Sequence, residues 1–143
     1  MRIEGKKSNL KDDRLAFDAG ALSLHFAGDE RVRQYFNDVS SRLKTGFISE
    51  VNLAEFYYKT AEKYGLDTAE TWYMLTRRSQ IIIVPPDEDI TREAAKLKLK
   101  YRNRLSLADC FAVSTAENND SILITTDSRM KEAKEIKTVY LEI

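Results

Sequence analysis

Four acidic residues, Asp18, Glu55, Asp109 and Asp127, have the types and surroundings to do chemistry. Taken singly, each has an ordinary use. Asp18 and Asp127 can cap a helix N-terminus. Asp109 can be the third position of a capping box opened by Ser106, and Glu55 can stand in the same relation to Asn52. Asp109 is the hardest to dismiss in this way. It is followed by Cys110-Phe111-Ala112-Val113, an apolar run that must be largely buried. A carboxylate at the edge of a buried helix is costly without a positive partner, and the nearest preceding cations, Arg102 and Arg104, lie across a bend. A divalent cation is the natural counter-charge. Hard cations such as Mg²⁺ or Mn²⁺ take oxygen ligands, and convergent carboxylates suit them. The chain has one His and one Cys, so no His or Cys pairs stand at zinc spacing and the metal expected is a hard one. Such an ion activates water and stabilises charge developing on a phosphate, so phosphodiester hydrolysis is the matching reaction class.

The elements that must position these acids alternate in kind. Leu15-Ala16-Phe17 reads as a short buried strand ending at Asp18. A helix follows through Ala21, Leu22 and Phe26, closed by Gly28. Val32, Tyr35, Phe36, Val39 and Leu43 fall on one face of a second helix. Gly46–Ser49 is the next strand, and a helix through Leu53, Phe56, Tyr57, Thr60 and Tyr64 runs to Gly65. Asp67-Thr68-Ala69-Glu70 has the pattern of a capping box opening a helix through Trp72 and Leu75. Ile81–Val84 is a β-branched run of the kind that suits a strand covered on both faces, ended by Pro85-Pro86. Residues 90–104 fit a helix, Ser106–Asp109 open another, and Ser121–Thr125 form a strand. A short helix over Arg129–Glu135 and a strand over Val139–Leu141 complete the order. Strands alternating with helices predict an α/β fold, a three-layer α/β/α sandwich around a central, mostly parallel sheet. Sites in such folds form beyond the carboxyl ends of the strands.

Composition narrows the class. A chain of 143 residues holds one domain, set here at residues 14–143, behind a polar leader over 1–13. No stretch approaches the roughly 20 apolar residues of a membrane span. The start of the chain lacks a signal peptide's apolar core, and a lone Cys makes no internal disulfide, so a cytoplasmic location is expected. The formal net charge is zero, so any polyanion must be met by local basic groups: Lys96, Lys98, Lys100, Arg102 and Arg104, or Arg77 and Arg78. A solvated helix face explains the first of these equally well. His25 reads as a helix-surface residue and Cys110 as a small buried one. Tyr57 and Trp72 read as core.

Four segments resemble the acidic motifs of the PIN-domain family in order and spacing. They are Phe17-Asp18-Ala19-Gly20-Ala21-Leu22, Leu53-Ala54-Glu55-Phe56, Leu105-Ser106-Leu107-Ala108-Asp109-Cys110-Phe111-Ala112 and Ile124-Thr125-Thr126-Asp127. The resemblance spans residues of about 15 to 143, and its third segment is the most specific. The small size is similar to that of VapC-type toxins of toxin–antitoxin pairs. The resemblance implies a Mg²⁺- or Mn²⁺-dependent endoribonuclease, a homodimer, and an antitoxin that threads into a groove near the site. It implies that Asp18 and Asp109 bind metal first, with Glu55 and Asp127 binding directly, through water, or orienting the attacking water. One position departs from the pattern. Where the family often has a hydroxyl or amide residue two places after the first acid, this chain has Gly20, and a missing hydrogen bond there would loosen Asp18. That departure motivates an alternative, a PIN-fold RNA- or protein-binding module without efficient catalysis. A phosphoacceptor receiver domain is a further α/β fold with acids around Mg²⁺. It needs a Lys just after the last strand, whereas Lys137 precedes that strand here.

Overall fold

The computed structural model describes residues 12–143. The leader expected over residues 1–13 lies, up to residue 11, outside the described residues. The chain runs β1 (Arg14–Phe17), α1 (Ala19–Phe26), α2 (Glu30–Ser40), β2 (Thr45–Ser49), α3 (Glu50–Tyr64), α4 (Leu66–Arg77) and β3 (Ile82–Val84). It continues through α5 (Glu88–Lys100), α6 (Leu107–Asn118), β4 (Ile122–Thr125), a 3₁₀ turn (Ser128–Glu132) and β5 (Thr138–Tyr140). The five strands form one sheet in the order β3-β2-β1-β4-β5, and every pairing is parallel. Parallel neighbours need crossovers, which the intervening helices supply. This order separates the fold from receiver domains, whose sheets run 2-1-3-4-5.

Residue alternation along the strands assigns the two faces. Leu15, Phe17, Ile48, Ile122 and Ile124 point into a core shared with α1, α2 and α3, which contribute Leu22, Phe36, Leu53 and Phe56. Ala16, Phe47 and Leu123 point the other way, against α5 and α6, where Ala94, Leu97, Cys110 and Val113 pack. The result is the expected three-layer sandwich. Helix α6 is the most enclosed, with seven of its twelve residues buried, from Asp109 through Ala116.

Three local expectations change. β3 is not a strand covered on both faces. It is the edge of the sheet, Ile82 is 48% exposed, and Ile83 and Val84 are half-buried. An apolar run does not by itself distinguish a central strand from an edge one. Leu43 does not extend the face of α2, which ends at Ser40, and it is 71% exposed. The Asp67 capping box does not form. Gly65, at φ 96°, turns α3 directly into α4, and Leu66 already starts the helix, so no side chain caps it. Asp67 sits inside the first turn instead.

Candidate active site

All four acids line one cleft of about 600 Å³ at the carboxyl end of the sheet. Asp18 arrives there because β1 ends at Phe17. Its backbone N–H still bonds Ile124 O across the sheet, at 3.3 Å. Its side chain caps α1 by accepting the Ala21 N–H at 2.8 Å, and its second oxygen accepts the Thr125 hydroxyl at 2.5 Å. The cap expected of Asp18 is therefore real, but it occupies only one of the two oxygens. The Thr125 hydroxyl also accepts the Asp127 N–H, at 3.0 Å, so one residue at the end of β4 orients the first acid and the fourth.

Glu55 lies one turn and a half into α3. It is not part of a box with Asn52, because Ser49 caps this helix. Its partner is Lys59, with Nζ 3.2 Å from Oε2. Asn52 has a different task. It is buried and donates to Ala108 O at 3.0 Å, tying α3 to the first turn of α6 beside Asp109. Asp109 itself closes the capping box expected of it: Oδ2 accepts the Ser106 N–H at 2.9 Å while the Ser106 hydroxyl accepts the Asp109 N–H at 3.1 Å. Asp127 caps the 3₁₀ turn and accepts two hydrogen bonds from the Arg129 guanidinium, at 3.1 and 2.7 Å.

The expectation that Asp109 has no positive neighbour needs correction. Arg129 Nη2 stands 3.8 Å from its Oδ2. Arg129 and Lys59 are the site residues that sequence reasoning missed. The i,i+4 spacing of Glu55 and Lys59 was a readable signal. The reach of Arg129 to Asp109 depends on the fold and had none. The basic run before Asp109 is engaged elsewhere. Lys98 donates to the carbonyls of Arg102 and Leu105, Lys100 pairs with Glu135 at 2.6 Å, and Arg104 pairs with Glu132.

Electrostatics confirm the crowding. Burial pushes the Asp18 carboxyl up to about 6, and the charges of Asp109 and Glu55 push the same way against the Thr125 and Ala21 hydrogen bonds. Burial also raises Asp109, with Asp127 adding to the effect and the Ser106 bonds and Arg129 opposing it. Asp127 moves down, because Arg129 hydrogen-bonds its charged form. Burial raises the Cys110 thiol to about 11, which makes it an inert core residue as expected. His25 is exposed, stacks on Phe36 at 4.1 Å and is lowered by desolvation; it does not line the acidic cleft.

The donor set, carboxylate and hydroxyl oxygens with uncompensated negative charge, fits a hard divalent cation. Among the described residues, however, no three His, Cys, Asp or Glu side chains converge closely enough to hold a metal ion as they stand. Their oxygens are engaged by Arg129, Lys59, Thr125 and backbone N–H groups.

Gly20 also gains a reason. A Cβ built there would lie 2.0 Å from the Thr126 hydroxyl. The space a larger residue would fill is taken by Thr126, which lines the same cleft.

Comparisons with known proteins agree with this architecture. No curated protein matches the chain by sequence. Solved structures match it closely in shape. VapBC2 from Rickettsia felis, bound to a DNA fragment from its promoter, superposes with a TM-score of 0.70 at 14% identity, covering 89% of this chain and 98% of that one. VapC20 from Mycobacterium tuberculosis, a toxin that cleaves the sarcin–ricin loop, gives 0.69 at 14% identity, covering 90% and 98%. PAE2754 from Pyrobaculum aerophilum gives 0.61 at 16% identity, covering 88% and 83%. At such identities the likeness establishes the shared fold. The model of the PIN domain matches residues 15–136, from within β1 past the fourth acid, and the chain therefore belongs to the PIN domain family.

Proposed function

We propose that this protein is a metal-dependent endoribonuclease that hydrolyses RNA phosphodiester bonds and is the toxin of a toxin–antitoxin pair. The observation that carries the reading is the meeting of Asp18, Glu55, Asp109 and Asp127 in one cleft from four separate places in the chain. Asp18 and Asp109 are the residues that would hold Mg²⁺ or Mn²⁺ first, because they are the two buried ones, with Glu55 and Asp127 completing the set. When bound, the ion supplies activated water and offsets charge on the phosphate. The protein's own groups do the rest. Thr125 fixes the orientation of Asp18, while Ser106 and Asn52 hold the segment that carries Asp109. Glu55 or Asp127 orients the attacking water. Lys59, at the cleft wall, offers positive charge to the RNA backbone.

The toxin assignment draws on the fold shared with the VapC20 toxin and with a toxin–antitoxin complex from Klebsiella pneumoniae, which matches with a TM-score of 0.66 at 19% identity. On that basis the partners are an RNA substrate, an antitoxin protein and a second copy of the chain, and the setting is the cytoplasm. No helix among the described residues is long and apolar enough to cross a membrane.

The test is cleavage of a structured RNA with Mg²⁺ or Mn²⁺ and again with chelator. Asp109→Asn is expected to lower the rate at least about a hundredfold, since loss even of residues behind metal ligands costs up to that much. Cleavage that survives this substitution would sink the reading. The non-catalytic alternative rested on Gly20. It loses its motive where Thr126 fills the space and Thr125 already supplies a hydroxyl to Asp18.

A further inference from the structure

The acids of the cleft are not waiting with free oxygens; one of them is held by a cation of the chain's own. Arg129 follows Asp127 by two residues in the 3₁₀ turn, and its backbone N–H bonds Asp127 Oδ1 at 2.9 Å. That short link folds the guanidinium back over the same carboxylate. Nε donates to Oδ1 and Nη2 to Oδ2, so both oxygens of Asp127 accept from it. Nη2 also stands 3.8 Å from Asp109 Oδ2, on an element far away in sequence. The planar fork of an arginine matches a carboxylate in a way a lysine does not. A second cation must compete with this fork: Oδ1 already accepts from the Arg129 N–H and Nε, and Oδ2 accepts from Nη2, which leaves one lone pair open on Oδ2. The arginine head is 55% exposed, so it has solvent to swing into without disturbing the core.

We propose that Arg129 is a tethered internal counter-ion, with which a divalent cation must compete for Asp127, and that it thereby lowers the site's metal affinity. The proposal rests on the reading of the cleft as a metal site. It accounts for one fact in particular: four acids face one cleft, yet the fourth is already held by the chain's own arginine. Arg129 is a positioning residue here. It keeps the fourth acid ordered and its charge paired until a better cation arrives.

The competition is measurable without any RNA. The full chain, stripped with chelator, is titrated with Mn²⁺ alone by calorimetry, as the unaltered protein and as Arg129→Gln, Asp127→Asn and the double variant. Arg129→Gln is expected to bind Mn²⁺ roughly fivefold tighter, the scale set by a well-formed exposed ion pair. In the Asp127→Asn background the same change is expected to lose most of its effect, because the pair being displaced is already gone. Arg129→Lys keeps the charge and loses the fork, and is expected to fall between the two. It also serves if the Gln variant does not fold, which thermal unfolding of each protein checks. Equal or weaker Mn²⁺ binding by Arg129→Gln overturns the proposal. So does a gain of the same size with and without Asp127, which would make Arg129 a distant repelling charge. If neither the unaltered protein nor Arg129→Gln binds Mn²⁺, the metal reading of the cleft fails and the proposal falls with it.

Discussion

Asp18 carries a cost that its position explains. The residue is buried with two other carboxylates acting on it, and its folded-state carboxyl sits at about 6 against 3.8 when free. The folded, metal-free protein therefore holds a proton that the unfolded chain releases. The sign follows from linkage. Stability is fully present below pH 4 and falls as pH rises through the window from about 4 to 6, by on the order of 2–3 kcal/mol. Urea unfolding in chelator at pH 4.5 and at pH 7 checks this, and a flat profile counts against it. Asp18→Asn removes the ionisation. It is expected to make the metal-free protein more stable at pH 7 while abolishing cleavage, so that function and stability move in opposite directions. Gly20 gives a second prediction at this scale. Gly20→Ala gains helix propensity but drives a Cβ to 2.0 Å from the Thr126 hydroxyl. The net is expected to be a loss of about 1–3 kcal/mol in thermal unfolding, relieved when Thr126→Ala is added. The four acids were legible as residues, since their neighbours carry the family pattern. Their internal counter-ions were not equally so. Lys59 sits at helical spacing from Glu55, whereas Arg129 meets Asp109 only once α6 and the turn after β4 are brought side by side.

At the scale of elements, most strands and helices were readable because their apolar periods differ, two for a strand and 3.6 for a helix. What periodicity does not encode is the place of a strand within its sheet. The run Ile81–Val84 reads as central and lies at the edge. The two positions predict opposite outcomes for one substitution. Were β3 central, Ile82→Lys would bury a charge. At the exposed edge it is expected to change stability by no more than about 0.5 kcal/mol, a difference that denaturant titration resolves. Asn52 shows the converse. In sequence it resembles a helix cap. In the structure it is a buried tie from α3 to α6, with Oδ1 left without a partner. Asn52→Ala is expected to cost about 1–3 kcal/mol, and to slow RNA cleavage further by loosening the turn that carries Asp109.

At the scale of the whole molecule, the sheet order places β1 between β2 and β4. The first strand among the described residues is thus also the middle strand of the sheet, and the site it ends in waits for a partner far downstream. Asp18 and the Thr125 hydroxyl that steadies it are 107 positions apart in sequence. For a protein proposed to cut RNA, this arrangement has a consequence during its own manufacture. Chain growth delivers Asp18 early, Glu55 and Asp109 later, and Asp127 near the last. Until β4 emerges and slots in beside β1, Asp18 lacks the Thr125 hydroxyl and Asp127 is not in place, so the proposed centre would be incomplete on the growing polypeptide. Long-range pairing of this kind is slow to form. On the proposed function, the delay would keep the site unassembled during synthesis, with the parallel sheet as its clock.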